Sequence, residues 1–320
     1  MADVSIVVPT RNRAVLLERL LRQLVALDEG PDYQIIVVDE GSSDSTPELL
    51  ARYLRTYGVE VIRNDPPRGL SGARNTGIAA ADAPFVTWID DDDLTSPDRI
   101  ARQLEALRSG PWRWSCAARV DVDDDLQVIG HVRCPAPDRL LAQVLGRNVL
   151  PSAGQGLLVE RSLLDEVGPF DESLDSAEDW DFGIRLAESG PGHMLDEPLV
   201  AYRTGFASMS TDTDRMERTI SRVVDRYADL YRREGVEADW AAIHQSLLAA
   251  DLLNSPRRAR RRAWRSFTSR PSPATARRVL LVSVAPGWMS RRSAARRREQ
   301  VPPAWVHQAR GWLDLVAARG

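Results

Sequence analysis

The chain is expected to fold as an α/β protein: a mixed, mostly parallel sheet flanked by helices, followed by a mostly helical, arginine-rich C-terminal extension. Three observations lead there. Short β-branched runs alternate with amphipathic stretches through the first 110 residues. Polar turns rich in Gly, Asp and Ser follow these runs, at the strand ends where open α/β sheets bind ligands. Beyond residue 255 the charge changes sign, with 16 arginines against two acids in residues 256–320.

Asp3 to Val8 (DVSIVV) reads as the first strand, and Pro9 to Arg13 (PTRNR) as the turn that follows. From Ala14 to Leu27, leucines at 16, 17, 20, 21, 24 and 27 recur at helical spacing. Gln34 to Asp39 (QIIVVD) is the second strand and Glu40 to Asp44 a polar turn. Thr46 and Pro47 then open a helix, since proline suits a first helical position. Val59 to Arg63 is the third strand, leading through Gly69-Leu70-Ser71-Gly72 to a helix near Ala73 to Ala80. The fourth strand begins at Phe85. Unbroken apolar strands separated by helices imply a parallel sheet covered on both faces, joined by right-handed crossovers. Pro9 to Arg13, Asp39 to Asp44 and Asp90 to Asp93 then meet in one crevice.

Residues 85–93 (FVTWIDDDD) run from an apolar strand directly into four carboxylates. Adjacent negative charges repel by roughly a kcal/mol per close pair near a surface, so the run calls for a cation. A Mg²⁺ or Mn²⁺ ion takes one or two carboxylates plus waters and substrate phosphates. The simpler reading is an acidic loop into the next helix, with Ser96 as N-cap and Pro97 at its first position. No G-x-G-x-x-G follows the first strand and no G-x-x-x-x-G-K-[ST] occurs, which argues against a dehydrogenase or P-loop NTPase. Phosphate would then be held by metal and arginine, and Gly72-Ala73-Arg74-Asn75 supplies one.

VSIVVPTRNR (4–13), IIVVDEGSSDST (35–46), GLSGARNTGI (69–78), FVTWIDDDD (85–93), VGPFDE (167–172) and SAEDWDFGIRLA (176–187) together resemble the successive motifs of family 2 glycosyltransferases of the GT-A fold. The resemblance covers about residues 3–205. It implies a donor-nucleotide half to about residue 110 and an acceptor half over 111–212, with the extension at 213–320. The implied reaction transfers a sugar from a nucleotide-diphosphate donor to a hydroxyl, with inversion and with Mn²⁺ or Mg²⁺ on the diphosphate. A UDP-sugar is the first expectation, with dTDP- and GDP-sugars as alternatives; the acceptor is a glycan, a lipid-linked or a small molecule. The motifs imply Asp92 as principal metal ligand, flanked by Asp90 and Asp91. They place Pro9, Thr10, Arg11, Asn12, Asp39 and Glu40 around the nucleobase, and Gly72, Arg74 and Asn75 at the donor. Glu40 stands where many members have Asp, Arg11 where an aromatic is frequent, and Thr204 to Ser208 where many place a histidine. Arg74 has a second reading, as a partner of the acidic run. A non-catalytic or nucleotidyl-transferring relative is the competing class. The latter would carry a lysine-containing, Gly-rich loop after its first strand, and the former would lack Asp92 or Asp179; this chain has no lysine and has both aspartates.

The resemblance assigns the catalytic base to Asp179 of Glu178-Asp179. A base is needed because the acceptor hydroxyl must lose its proton as the diphosphate departs. Read without the resemblance, Ser176 to Asp179 is also a helix N-terminus, with Ser176 as cap and Asp179 reaching back. Trp180, Gly183, Ile184 and Ala187 then form its buried face, and Asp181 points elsewhere in a structural role.

Cys116 and Cys134 lack metal spacing, and no apolar run approaches the ~20 residues of a membrane span. The strand at the very start leaves no room for a leader, so a cytoplasmic location is expected, with peripheral attachment to the cytosolic face of a membrane as an addition. The extension alternates Arg257–Arg265, Arg277-Arg278 and Arg291–Arg298 with apolar pieces and tryptophans, a pattern suited to an anionic membrane surface. Docking of the arginines on the acidic catalytic region as a lid, or pairing in a homodimer, are the other readings. No nucleic-acid motif accompanies the charge.

Overall fold

The computed structural model of the chain describes residues 2–27, 30–151, 155–204 and 212–319. β1 (Val4–Thr10), β2 (Tyr33–Asp39), β3 (Glu60–Arg63) and β4 (Phe85–Trp88) are the four expected strands. α1 (Ala14–Leu24), α2 (Thr46–Tyr57) and α3 (Gly69–Ala80) connect them. The strands pair in parallel in the order β3-β2-β1-β4. β1 continues past the expected Val8, because Pro9 and Thr10 still align with Val38 and Asp39; the φ that proline fixes is compatible with a strand end. Side chains alternate across the sheet, as a period of two requires. Val4, Ile6 and Val8 pack with Leu17, Leu20 and Leu21 of α1, while Val7 turns to the opposite cluster with Trp88 and Phe182. α3 lies so close to β1 that a Cβ on Gly77 would sit 2.3 Å from Val7 Cγ1, an approach that only glycine permits.

The second half extends the same sheet. After β5 (Leu94–Thr95) and α4 (Arg99–Ser109) come β6 (Trp114–Val122), β7 (Val128–Val132), α5 (Leu140–Gly146), β8 (Leu157–Glu160), α6 (Arg161–Val167), α7 (Glu178–Ser189) and β9 (His193–Arg203). β8 lies antiparallel to β4 and β6, β9 parallel to β6, and β5 antiparallel to β9. The path is β3-β2-β1-β4-β8-β6-β9-β5, with β7 beside β6. The acidic run is thus stretched from β4 to the far side of the sheet, where the Arg203 backbone N–H donates to Asp93 Oδ1 at 3.0 Å.

Two helix starts differ from the sequence expectation. α4 begins after Asp98 rather than at Pro97, and the Ser96 hydroxyl donates to the Asp98 carboxylate instead of capping. α7 begins after Ala177, whose left-handed backbone (φ 57°) turns Ser176 off the helix axis, so its buried hydroxyl caps nothing.

The extension comprises α8 (Thr213–Arg226), α9 (Ala228–Glu234), α10 (Trp240–Asn254), α11 (Pro256–Ser269), α12 (Pro273–Val284), α13 (Pro286–Glu299) and α14 (Pro303–Arg319). α11, α12 and α13 each carry proline in the first turn, where a missing N–H costs nothing. α14 completes the domain core. Its Trp305, Trp312, Leu313 and Val316 pack against Leu94, Val120, Val122 and Ala201, and Trp312 Nε1 donates to the Pro198 carbonyl at 3.0 Å. The buried Arg262 of α11 pairs with Asp251, Asp214 and Glu217, Arg261 with Asp214, and Arg265 with Glu217. These arginines therefore dock on acids of α8 and α10, inside the extension. No helix among the described residues is long and apolar enough to cross a membrane.

Candidate active site

β4 ends at Trp88, buried and met edge-on by Phe170 (5.2 Å, 86°) and Phe182 (5.5 Å, 82°). Beyond it the four aspartates diverge. Asp90 accepts Arg74 Nη2 on both oxygens (2.9 and 3.1 Å) and Gln155 Nε2 at 2.9 Å. Asp91 accepts the Thr10 hydroxyl at 2.7 Å and Arg13 Nη1 at 2.9 Å, and Asp92 accepts the same Arg13 nitrogen at 2.6 Å. Asp93 is buried with Oδ2 unpartnered. Burial pushes Asp91 up to about 6 against the pull of Thr10 and Arg13; it also raises Asp92, and it lifts Asp93 well above the carboxylate range. Arg13 and Arg74, the latter shared with Glu178, pair with Asp90, Asp91 and Asp92, while Arg119 and Arg203 lie within the field of Asp93.

Arg74, buried on α3, joins this run to α7. Its Nη1 lies 3.3 Å from Glu178 Oε1 while Nη2 holds Asp90, and the guanidinium rests over the Phe170 ring at 5.3 Å. Burial, then the neighbouring Asp179, pushes Glu178 up to about 6 despite Arg74. Asp179 sits in the first turn of α7, where the helix dipole favours a carboxylate. Its Oδ1 accepts the Trp180 backbone N–H at 2.8 Å and its Oδ2 the Asn148 amide at 2.9 Å. Asp181 faces away, buried among Arg185, Arg226 and Tyr227, in the structural role expected.

The first two turns are tied together. Asn12, with a left-handed φ of 53°, receives the Ser43 N–H on Oδ1 at 2.7 Å, and its own N–H donates to Ser42 Oγ at 2.9 Å. Pro9 and Thr10 are buried and Arg11 is exposed. Asp39 is buried, with Oδ1 on the Ser42 N–H at 2.8 Å and Oδ2 on Arg63 Nη1 at 2.6 Å.

Three expected donor residues also have internal structural roles. Glu40 accepts the Arg68 and Gly69 N–H groups at 2.7 and 2.6 Å and the Asn64 amide. The first N–H groups of a helix have no partner within it, and Glu40 supplies one to α3. Asn75 donates to the Phe170 carbonyl at 2.9 Å and accepts the Phe170 N–H at 2.8 Å, which pins the VGPFDE loop. At Gly72 an added Cβ would fall 2.3 Å from Arg68 Cβ, so this glycine makes room for Arg68 on its way to Glu172. Arg13, Gln155 and Asn148 are the partners that sequence reading missed. Arg13 stands inside the PTRNR turn, but Gln155 and Asn148 belong to no motif.

Among the described residues no set of three or more His, Cys, Asp or Glu side chains forms a preformed metal cage. An ion that takes one or two carboxylates and completes its shell with phosphate and water needs none. Asp92 meets only Arg13 among the described side chains, whereas both oxygens of Asp90 already accept from Arg74 and one from Gln155. The segment where many family members carry a histidine continues past Thr204 into residues outside those described.

The sequence model of Glycosyl transferase family 2 matches residues 5–168. An uncharacterized glycosyltransferase of Haemophilus influenzae is 24% identical, over 70% of this chain and 76% of its own length. The succinoglycan biosynthesis protein ExoO of Rhizobium meliloti is 39% identical over 32% of this chain, which spans only 29% of that relative. Among solved structures, the mannosyltransferase PcManGT from Pyrobaculum calidifontis in complex with GDP-Man and Mn²⁺ gives a TM-score of 0.58 at 18% identity, covering 96% of this chain and 86% of that one. S. aureus TarS 1-349 in complex with UDP-GlcNAc gives 0.54 at 15% identity, covering 91% and 92%. Identities this low carry the fold alone, which is GT-A. With the family match covering just over half of its residues, the chain belongs to glycosyl transferase family 2.

Proposed function

We propose that this family 2 glycosyltransferase is a metal-dependent, inverting enzyme that uses Asp179 as its base. The observation that carries this reading is the fork of Arg74. One buried guanidinium holds Asp90 of the acidic run and Glu178 beside Asp179, so the diphosphate end of the site and the candidate base share one rigid frame. Asp92 and Asp90 would hold Mn²⁺ or Mg²⁺, which when bound offsets the charge on the departing diphosphate. Pro9, Thr10, Arg11, Asn12 and Asp39 border the nucleotide. Asp91 sets Thr10 and Arg13 in place, and Glu40, Gly72 and Asn75 fix α3 and with it Arg74.

In the reaction, Asp179 takes the proton of the acceptor hydroxyl. The acceptor oxygen bonds to the anomeric carbon from the face opposite the leaving group, and the bond from that carbon to the diphosphate oxygen breaks, releasing the nucleoside diphosphate. Asn148 orients the Asp179 carboxylate for that proton. Residues 1–110 serve the donor and 111–212 the acceptor. A UDP-sugar is the first choice of donor, supported by the UDP-GlcNAc in TarS, with a GDP-sugar second, as in PcManGT, and a dTDP-sugar third. The ExoO likeness supports a glycan or lipid-linked acceptor, alongside a small molecule.

A thermal-shift panel of UDP, GDP, dTDP and CDP, each with and without Mn²⁺, tests the reading. At a hundredfold over the dissociation constant, binding stabilises by about 2.7 kcal/mol, worth roughly 4 °C in a chain of this size. One nucleotide should shift the midpoint only with Mn²⁺, and Asp92→Asn should remove that dependence. No shift with any nucleotide overturns the assignment.

A further inference from the structure

Residues 252–298 contain 14 arginines and no aspartate or glutamate. Six of these arginines pair with carboxylates, chiefly of α8 and α10. The other eight meet none among the described residues; Arg257 and Arg260 of α11, Arg277 of α12, and Arg291 and Arg292 of α13 are exposed examples. Large apolar side chains are interleaved with them. Trp264 (56% exposed), Leu280 (62%), Val284 (76%) and Trp288 (42%) are half of the exposed large hydrophobic side chains among the described residues. Scattered singly they would call for no explanation.

They share a face. Arg260 donates to the Ser283 carbonyl at 2.9 Å, which sets α11 and α12 antiparallel with the start of one beside the end of the other. Val284 follows Ser283 in the chain, next to the carbonyl that Arg260 reaches. Arg257, Arg260 and Trp264 recur at i, i+3 and i+7 on α11, as do Arg277, Leu280 and Val284 on α12, so each set lines one side of its helix. The opposite sides are the buried ones, with Ala259, Arg262, Ala263 and Ser266 on α11 and Val282 on α12. At the start of α13, Arg292 lies over the Trp288 ring at 4.9 Å. The far end of α13 approaches the catalytic end of the sheet: Arg298 Nη2 is 3.6 Å from Asp123, which follows Val122, the β6 partner of Arg203, whose N–H holds Asp93.

We propose that this basic, tryptophan-bearing face of α11, α12 and α13 adsorbs on an anionic phospholipid surface. Charge and polarity together select the occupant. A second copy of the same face would set arginine against arginine, and a nucleic-acid backbone would leave Leu280 and Val284 in water. Lipid headgroups neutralise the guanidinium groups while the acyl boundary accepts Trp264, Leu280, Val284 and Trp288, an interfacial contact rather than a span.

The test is co-sedimentation of the full chain with phosphatidylcholine vesicles, with and without phosphatidylglycerol. Binding should require phosphatidylglycerol and weaken as salt rises. Arg257→Gln with Arg277→Gln and Arg291→Gln should weaken it roughly a hundredfold. Trp264→Ser with Trp288→Ser should also reduce it. All five residues are solvent-facing, so both variants should keep the thermal midpoint and the nucleotide response of the unaltered chain. Equal binding to neutral vesicles, or full binding by the triple variant, overturns the proposal. So does a chain that ignores vesicles but dimerises or binds RNA through this face.

Discussion

Arg74→Met removes the one cation that separates Asp90 from Glu178. Both carboxylates are largely shielded from water, at 21% and 15% side-chain exposure, and Arg74 itself is 2% exposed. Removing one partner from a buried ion pair typically costs about 3–5 kcal/mol, because the remaining charge stays desolvated. Methionine retains most of the apolar stem against Phe170, so the loss reports charge rather than packing.

The pH dependence makes the test specific. Glu178 has an ordinary value of 4.5 and is pushed up to about 6 in the folded chain. A carboxyl raised on folding binds its proton more tightly in the native state. Its contribution therefore falls as pH rises from about 4.5 through 6, by about 2 kcal/mol, and is flat above. Without Arg74 the folded value climbs further, so the variant loses more over that interval and continues to lose above it. Urea unfolding should then show the full 3–5 kcal/mol deficit of Arg74→Met at pH 8, and about half of it at pH 5, where Glu178 is protonated in the variant. A deficit below about 1 kcal/mol at pH 8, or an equal deficit at both pH values, would refute the bridging role of Arg74.

Three further outcomes are expected. Asp179→Asn should abolish sugar transfer while leaving the Mn²⁺-dependent nucleotide shift intact; near-normal turnover would return Asp179 to a purely structural place at the start of α7. Asn148→Leu removes a hydrogen bond to a carboxylate, worth about 1.5–3 kcal/mol, so kcat should fall roughly tenfold to a hundredfold with nucleotide binding unchanged, and an unaltered kcat would show that Asp179 needs no such support. Glu40→Gln can keep one oxygen on the Arg68 and Gly69 N–H groups only by turning its NH2 against the Asn64 amide, a lost hydrogen bond that costs about 1–3 kcal/mol. Differential scanning calorimetry should register a drop of several degrees, whereas an unchanged midpoint with lost nucleotide binding would restore Glu40 to the nucleobase.

The first half of the fold was legible because β1, β2 and β4 are buried on both faces and flanked by amphipathic helices, so period and polarity agree. The second half was not. β5 is two residues long and β8 four, and β6 and β9 carry charged residues within them (Arg119 and Asp121, Asp196 and Glu197), so no local pattern marks their pairing. α14 hides its place in the core because Trp305, Trp312 and Val316 lie within a stretch whose composition reads as a basic tail. At the site, the sequence supplied the types of side chain but not their directions. Glu40 and Asn75 have the chemistry of ligand contacts, yet α3 and the Phe170 loop present unpaired backbone groups within reach, and these claim them. Ser176 has the chemistry of a cap, and the left-handed Ala177 takes it away. Gln155 and Asn148 are brought to Asp90 and Asp179 by tertiary packing alone, which leaves no periodic or motif signal to find.

The chain has 42 arginines and no lysine, and the structure uses a property that lysine lacks. A planar guanidinium can address two carboxylates through separate nitrogens while its face lies on an aromatic ring. Arg74 does this with Asp90, Glu178 and Phe170, and Arg226 likewise joins Asp171 to the buried Asp181. Within the extension Arg262, 1% exposed, meets Asp214, Glu217 and Asp251 at once. Such forks saturate the inner side of α11 with the acids of α8 and α10. At the acidic run Arg13 and Arg74 hold Asp90, Asp91 and Asp92 directly, and Arg119 and Arg203 lie within the field of Asp93. On the two proposals above, the acidic run takes its counter-charge from a divalent cation with a diphosphate, and the exposed arginines of α11, α12 and α13 take theirs from an anionic surface.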